Sequence, residues 1–361
     1  MRKILISGNE ALAEGAVRAG CRCYFGYPIT PQSEIPAYMA KRLEEVRGVF
    51  LQAESEIAAI NMVYGAAATG TRCMTSSSGP GISLKQEGIS YLAGAELPCL
   101  IVNVMRGGPG LGNIAPSQSD YFQATRGGGH GDYHLVVLAP SSVQEMADMP
   151  SLAFDIAEKY RNPVMILTDA ILAQMMEGVS FKEEGRVEVR SKPWAVTGCK
   201  GRSPNVIHSL FLKEGDLERH NEHLQKKYQR MKEKEVRYQI FGDSEPEILL
   251  VAYGSMFRVC MWVKDRLKKM NTSCALLRPV TLWPFPYEII KKLSSRVRLI
   301  FVLEMSEGQM LEDVKLGSEG RCPVYFYGRM GGGVPDPEQV LEKIQEVLKI
   351  ENQRKNYKIW R

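Results

Sequence analysis

The chain has 361 residues, 44% hydrophobic and 24% charged, which is long for a single core and ordinary for a soluble globular protein. Its net charge of +5 is scattered, with no basic block interleaved with aromatics, so nucleic acid is not an expected partner. No apolar run reaches membrane-spanning length, and the opening MRKILISGNEALAEG turns polar too early for a signal peptide, so a cytoplasmic protein without membrane attachment is expected.

Residues 1–180 read as one domain. Apolar runs at Ile4–Ile6, Cys21–Phe25, Val49–Gln52, Arg72–Thr75, Leu100–Val104, Leu135–Leu138 and Val164–Leu167 predict strands. Helical patterns at Asn9–Ala19, Ser33–Leu43, Glu54–Thr69, Ser83–Ala93 and Ser142–Lys159 separate most of them. This alternation predicts an α/β fold with a doubly wound parallel sheet. Residues 181–246 are polar and charged and read as a connecting segment with one exposed helix near 214–235. Alternation resumes in 247–361, a second, smaller α/β domain. It has strands at Ile248–Ala252, Ser273–Leu277, Arg298–Leu303 and Val324–Tyr327, a helix at Ser255–Met270, and a last helix begun by Pro337.

Eight cysteines occur without any Cys-x-x-Cys, so neither an iron–sulfur run nor a zinc ribbon is encoded and no metal site is expected on this chain. Cys21 and Cys23 read as small packed side chains. Gly-x-Gly-x-x-Gly before a helix and the P-loop are also missing, which removes motif support for dinucleotide and simple nucleotide sites. Four glycine-rich loops remain: SSSGPGIS (76–83), RGGPGLGN (106–113), RGGGHGDYH (126–134) and GRMGGGVPDP (328–337). Any one of them is an ordinary turn. Four near strand ends allow the backbone to approach a ligand closely.

Three features carry candidate chemistry. The bend FGYPITPQSE sets Pro28 and Pro31 around Ile29 and Thr30, restricting the backbone twice and aiming the Thr30 hydroxyl in a fixed direction. Glu54 and Glu56 open an alanine-rich helix. Glu54 reads as a helix-dipole partner, whereas Glu56 precedes Ile-Ala-Ala-Ile and is expected in a dry setting suited to proton transfer. Arg106 ends the apolar strand CLIVNVM, where a guanidinium suits capture of a carboxylate or phosphate as well as a salt bridge to a nearby loop.

Together with LAPSSVQE and YGRMGGG, these stretches make the chain resemble, over nearly its whole length, the alpha subunit of 2-oxoacid:ferredoxin oxidoreductases. The resemblance implies a thiamine-diphosphate pyrimidine domain followed by a transketolase carboxyl-terminal-like domain. It also implies oxidative decarboxylation of a 2-oxoacid on thiamine pyrophosphate, yielding an acyl-coenzyme A and reduced ferredoxin. By the same resemblance Thr30 contacts substrate and Arg106 binds the substrate carboxylate. Glu56 bonds the aminopyrimidine ring and favours its imino tautomer, with Tyr27, Pro28 and Ile29 lining the cofactor. The family holds magnesium and diphosphate with Gly-Asp-Gly, and the Gly-Asp pairs at 131, 215 and 242 lack the following glycine. The resemblance therefore implies a shared site. A beta subunit supplies diphosphate binding, Mg2+ and clusters, with a gamma subunit and a small ferredoxin-like delta subunit alongside, the iron–sulfur clusters lying on partners only. Gly-Pro-Gly-Leu-Gly-Asn after Arg106 resembles the branched-chain type acting on 3-methyl-2-oxobutanoate. The alternative is 2-oxoglutarate, for whose distal carboxylate Arg126 or His130 offers a cation. A further alternative is a non-catalytic assembly subunit.

Overall fold

The computed structural model describes residues 3–181 and 191–358, with side chains described to residue 353. Strand β1 (Ile4–Ser7) leads into α1 (Gly8–Arg18), whose start is fixed by a capping box between Ser7 and Glu10. Next come β2 (Cys23–Gly26), α2 (Glu34–Glu45), β3 (Val49–Gln52), α3 (Glu56–Ala68), β4 (Cys73–Ser77), α4 (Pro80–Gly94) and β5 (Leu100–Met105). They are followed by α5 (Tyr121–Thr125), β6 (Val136–Leu138), α6 (Val143–Tyr160), β7 (Val164–Asp169), α7 (Ala170–Gln174) and β8 (Met176–Val179). After α8 (Asp216–Lys234) the chain forms β9 (Tyr238–Gly242), β10 (Ile248–Val251), α9 (Gly254–Lys269), β11 (Cys274–Pro279) and β12 (Thr281–Trp283). It ends with α10 (Tyr287–Ser294), β13 (Leu299–Glu304), α11 (Gln309–Ser318), β14 (Val324–Gly328) and α12 (Pro337–Lys358).

A seven-stranded sheet runs in the order β12-β6-β7-β5-β4-β2-β3, parallel except for β12. Its central strands β5 and β7 are buried at every residue, as continuous apolar runs covered on both faces must be. A five-stranded sheet runs β14-β13-β10-β11-β9, parallel except for β9. The large core does not stop at the first sheet: Leu249, Val251, Leu277 and Val302 of the second belong to it. Among the described residues no helix is long and apolar enough to cross a membrane.

Several elements, among them β8, α10 and α11, were not expected from the sequence, and four differ from the expectation for a nameable physical reason. β1 forms, but it pairs antiparallel with β8 in a separate two-stranded sheet. Ile4 and Leu5 are exposed there, and a lone apolar triplet carries no information about which sheet it joins. β9 lies inside the stretch read as a connecting segment and caps the edge of the second sheet. β12, three residues in the second half of the chain, returns to pair with β6 of the first sheet. Helix α8 is not merely exposed: Leu224, Tyr228 and Met231, at helical spacing, are buried in the large core. Beside them Lys227 reaches Glu96 Oε1 at 3.2 Å and the Arg161 carbonyl at 3.3 Å.

Candidate active site

From β2 the chain runs outward to β3, then returns past β2 to β4 and onward to β5. The loops leaving β2 and β4 are therefore neighbours at the carboxyl edge, at the point where the winding direction reverses and open α/β sheets bind ligands. The first of these loops is the proline bend. Tyr27, Pro28 and Thr30 are exposed, while Pro31 and Gln32 beneath them are buried. Buried polar groups brace the bend from below: Asn9 Nδ2 donates to the Pro31 carbonyl at 2.8 Å, and Gln32 Nε2 to the Tyr27 carbonyl at 3.2 Å. The Ser76 hydroxyl of β4 donates to Gln32 Oε1 and lies 2.7 Å from the Tyr24 hydroxyl. Two prolines stiffen the loop, and this network holds it to the sheet.

Arg106 follows β5 and is only 7% exposed. Its Nη1 donates to the Thr30 carbonyl at 3.0 Å and its Nη2 to the Leu111 carbonyl at 3.0 Å, so one planar fork spans the bend and the next glycine loop. Its Nε is buried without a protein partner. The guanidinium also packs against the loop after β4, where a Cβ added at Gly79 would lie 3.4 Å from Arg106 Cγ.

Glu56 occupies the first position of α3, behind the Ser55 cap whose hydroxyl accepts from the Ala58 amide at 3.2 Å. It is 6% exposed, and Glu54 lies before the cap and is exposed. The expected helix start at Glu54 is thus two residues early, and Glu54 stands outside the first turn. The dry setting of Glu56 also has a different source from its own Ile-Ala-Ala-Ile run, in which Ile57 is exposed. What closes over it is the start of α4: a Cβ at Gly81 would lie 2.6 Å from Glu56 Oε1 and collide with Ser77 Oγ.

The loop Ser77–Gly81 therefore passes between two candidate side chains, with Arg106 against Gly79 and Glu56 against Gly81. Ser77 Oγ, Ser78 Oγ and Arg106 Nε are buried there without partners among the described residues. Such orphaned groups are costly unless a ligand or water completes them, so the arrangement suits a polar ligand laid against this loop. Arg126 and His130 lie in other surroundings. Arg126 pairs with Asp313 and Glu312 of α11 and stacks on Phe122, while His130 lines a cleft with Ser90, Gly94 and His220. Sequence reading missed the bracing Asn9, Gln32 and Ser76, and it missed Lys85. That lysine is fully buried on α4 and donates to Thr75 Oγ1 at 2.5 Å and the Ser76 carbonyl at 3.1 Å.

Comparison with known proteins identifies the family. Residues 14–240 match the family model "Pyruvate flavodoxin/ferredoxin oxidoreductase, thiamine diP-bdg", and residues 246–340 match "Pyruvate:ferredoxin oxidoreductase core domain II". The ketoisovalerate oxidoreductase subunit VorB of Methanothermobacter thermautotrophicus is 52% identical over 95% of this chain and 97% of its own length. The 2-oxoglutarate synthase subunit KorA of Archaeoglobus fulgidus is 40% identical over 87% of this chain and 91% of its own. Among solved structures, the 2-oxoglutarate:ferredoxin oxidoreductase of Magnetococcus marinus superposes with a TM-score of 0.83 at 26% identity. That match covers 96% of this chain and 65% of the other. A split-gene transketolase superposes at 0.61 with 14% identity over 96% and 99%, a likeness of fold.

Proposed function

Because the chain belongs to the pyruvate flavodoxin/ferredoxin oxidoreductase family, we propose that it is the subunit of a 2-oxoacid:ferredoxin oxidoreductase that carries the pyrimidine side of a thiamine diphosphate site. The observation that carries this reading is that Arg106 and buried Glu56 both pack against the Ser77–Gly81 loop at the switch point, with Arg106 tied to the Thr30 carbonyl of the bend. Bound thiamine diphosphate supplies the nucleophile and electron sink for decarboxylation. The chain's own residues do the rest on this side. Glu56 holds and moves a proton at the aminopyrimidine ring nitrogen, where a carboxylate shielded from water is an effective acid/base. The Tyr27–Pro28–Ile29 wall orients the ring. Arg106 directs its remaining N–H groups at the carboxylate of the oxoacid, and the exposed Thr30 hydroxyl lies beside it.

We read the substrate as a branched-chain 2-oxoacid such as 3-methyl-2-oxobutanoate. The relatives named ketoisovalerate oxidoreductase are the more similar of those compared. In addition, Arg126 is committed to acidic partners, and Leu111, whose carbonyl anchors Arg106, is apolar. We assign the diphosphate and Mg2+ to a beta subunit, the iron–sulfur clusters to partner chains including a gamma and a small delta subunit, and the acyl acceptor role to coenzyme A, all in the cytoplasm. We divide the chain into residues 1–180, 181–246 and 247–361. In the test, the native complex is co-purified and assayed with a panel of 2-oxoacids beside the chain alone. The complex is expected to reduce ferredoxin with 3-methyl-2-oxobutanoate in preference to 2-oxoglutarate, and the chain alone to turn over nothing. Robust turnover by the isolated chain would overturn the shared site, and a preference for 2-oxoglutarate would overturn the substrate.

A further inference from the structure

Lys85 has no part in the reaction as described, yet it is wholly buried, an expensive place for an ammonium without compensation. It sits one helical turn after Gly81 and on the same side of α4. Gly81 is the residue whose missing side chain makes room for the Glu56 carboxylate. Two of the ammonium's three protons go to Thr75 Oγ1 and the Ser76 carbonyl at the end of β4. Ser76 is itself tied through Gln32 to the proline bend. Among the described residues the Glu56 carboxylate receives no hydrogen bond from the protein. Burial pushes the lysine down to about 7, and the charge that acts against burial is that of Glu56.

We propose that Lys85 is the positioning residue of the site: its ammonium is the buried counter-charge of Glu56 and the pin that fixes the end of β4 between that carboxylate and the bend. This rests on the acid/base reading of Glu56. A nearly buried carboxylate and a fully buried lysine nitrogen stabilise each other's charged forms, and removing one leaves the other less compensated. The pairing keeps Glu56 in place beside Gly81 without a hydrogen bond that would compete with its ligand.

The test is a double-mutant cycle of Lys85→Met, Glu56→Gln and the two together, read in two ways. In thermal melts of the full chain, Glu56→Gln removes the charge that acts against the burial of Lys85, and adding Lys85→Met is expected to restore part of the lost midpoint. A Lys85→Met shift equal in both backgrounds would overturn the pairing. In the assembled complex, Lys85→Met is expected to slow exchange of the thiazolium C2 proton by about tenfold when Glu56 is present, and by less than about twofold in the Glu56→Gln background, since coupled groups are not additive. Equal slowing in both backgrounds would show that Lys85 does not act through Glu56. Should Lys85→Met fail to fold, Lys85→Gln keeps a donor for the Ser76 carbonyl and removes the charge. Exchange at the wild-type rate in that variant would likewise overturn the proposal. If Glu56→Gln by itself exchanged normally, the reading of Glu56 would fall instead, and the melts would still report on the pair.

Discussion

A methyl group at Gly81 would meet Glu56 Oε1 at 2.6 Å and crowd Ser77 Oγ. Both neighbours are side-chain atoms that can rotate away, and alanine favours a helix over glycine by about 1 kcal/mol. Gly81→Ala is therefore expected to shift the thermal midpoint little while displacing the carboxylate from its place. A misplacement of this size costs on the order of a hundredfold in rate. Steady-state kinetics of the assembled complex beside melts of the same variant separate the two effects. A large fall in midpoint with intact kcat would mean that the gap at Gly81 serves packing instead. The sequence showed the glycine and it showed Glu56, but their contact depends on where α3 and α4 come to lie. At Arg106 the sequence showed a cation at a strand's end. It did not show that two of its donors are already spent on the Thr30 and Leu111 carbonyls.

Among the elements, the strands and helices with a clear period were legible. β5, β7, α3 and α6 follow from their apolar runs and caps, and the switch point follows once the parallel order is known. What was not legible depends on distant partners. β12 is three residues long and is a strand because β6 offers an edge, and β9 is one because β11 does. Helix α8 looked solvated since most of its residues are charged, and its buried stripe is only a few residues wide. Glu304, at the end of β13, shows the same dependence on context. It accepts hydrogen bonds from the Met310 and Leu311 amides at the start of α11 and from the Ser306 hydroxyl, each at 2.9 Å. Burial nevertheless raises it from 4.5 to about 7, with the hydrogen bonds acting in the opposite direction. Between those two values the folded chain keeps a proton that the unfolded chain has lost, so this residue's contribution falls as pH rises through the window. In melts from pH 5 to 7.5 the stability of the wild type relative to Glu304→Gln is expected to fall as pH rises, by at most a few kcal/mol. His134, lowered to about 4 by burial, acts with the opposite sign in both proteins. A difference between the two proteins that stays constant with pH would remove Glu304 as the source of the fall.

For the whole molecule, the two sheets act as one body around a continuous core, and their contact builds the rim of the site. Gln118 bonds the Met305 amide at 2.9 Å and the Tyr253 carbonyl at 3.0 Å, and Asp169 at the end of β7 accepts from the Ser255 amide at 3.0 Å. The glycine loop of the second half reaches the loop after Arg106, with Asn113 Nδ2 donating to the Gly331 carbonyl at 2.9 Å. Two glycine-rich stretches more than two hundred residues apart thus become one feature, beside exposed Leu111, Ile114 and Met330. The sequence offered each stretch singly and gave no sign of their meeting. The central claim remains that this chain contributes the acid/base carboxylate, Glu56, to a site completed elsewhere. Its most direct test is the rate of thiazolium C2 proton exchange in the assembled complex carrying Glu56→Gln or Glu54→Gln. The first is expected to slow exchange by about 10²–10⁴-fold, the usual loss of a positioned acid/base. The second, a change at an exposed residue outside the helix, is expected to leave exchange near the wild-type rate. Equal effects in the two variants, or a larger one at Glu54, would contradict the account.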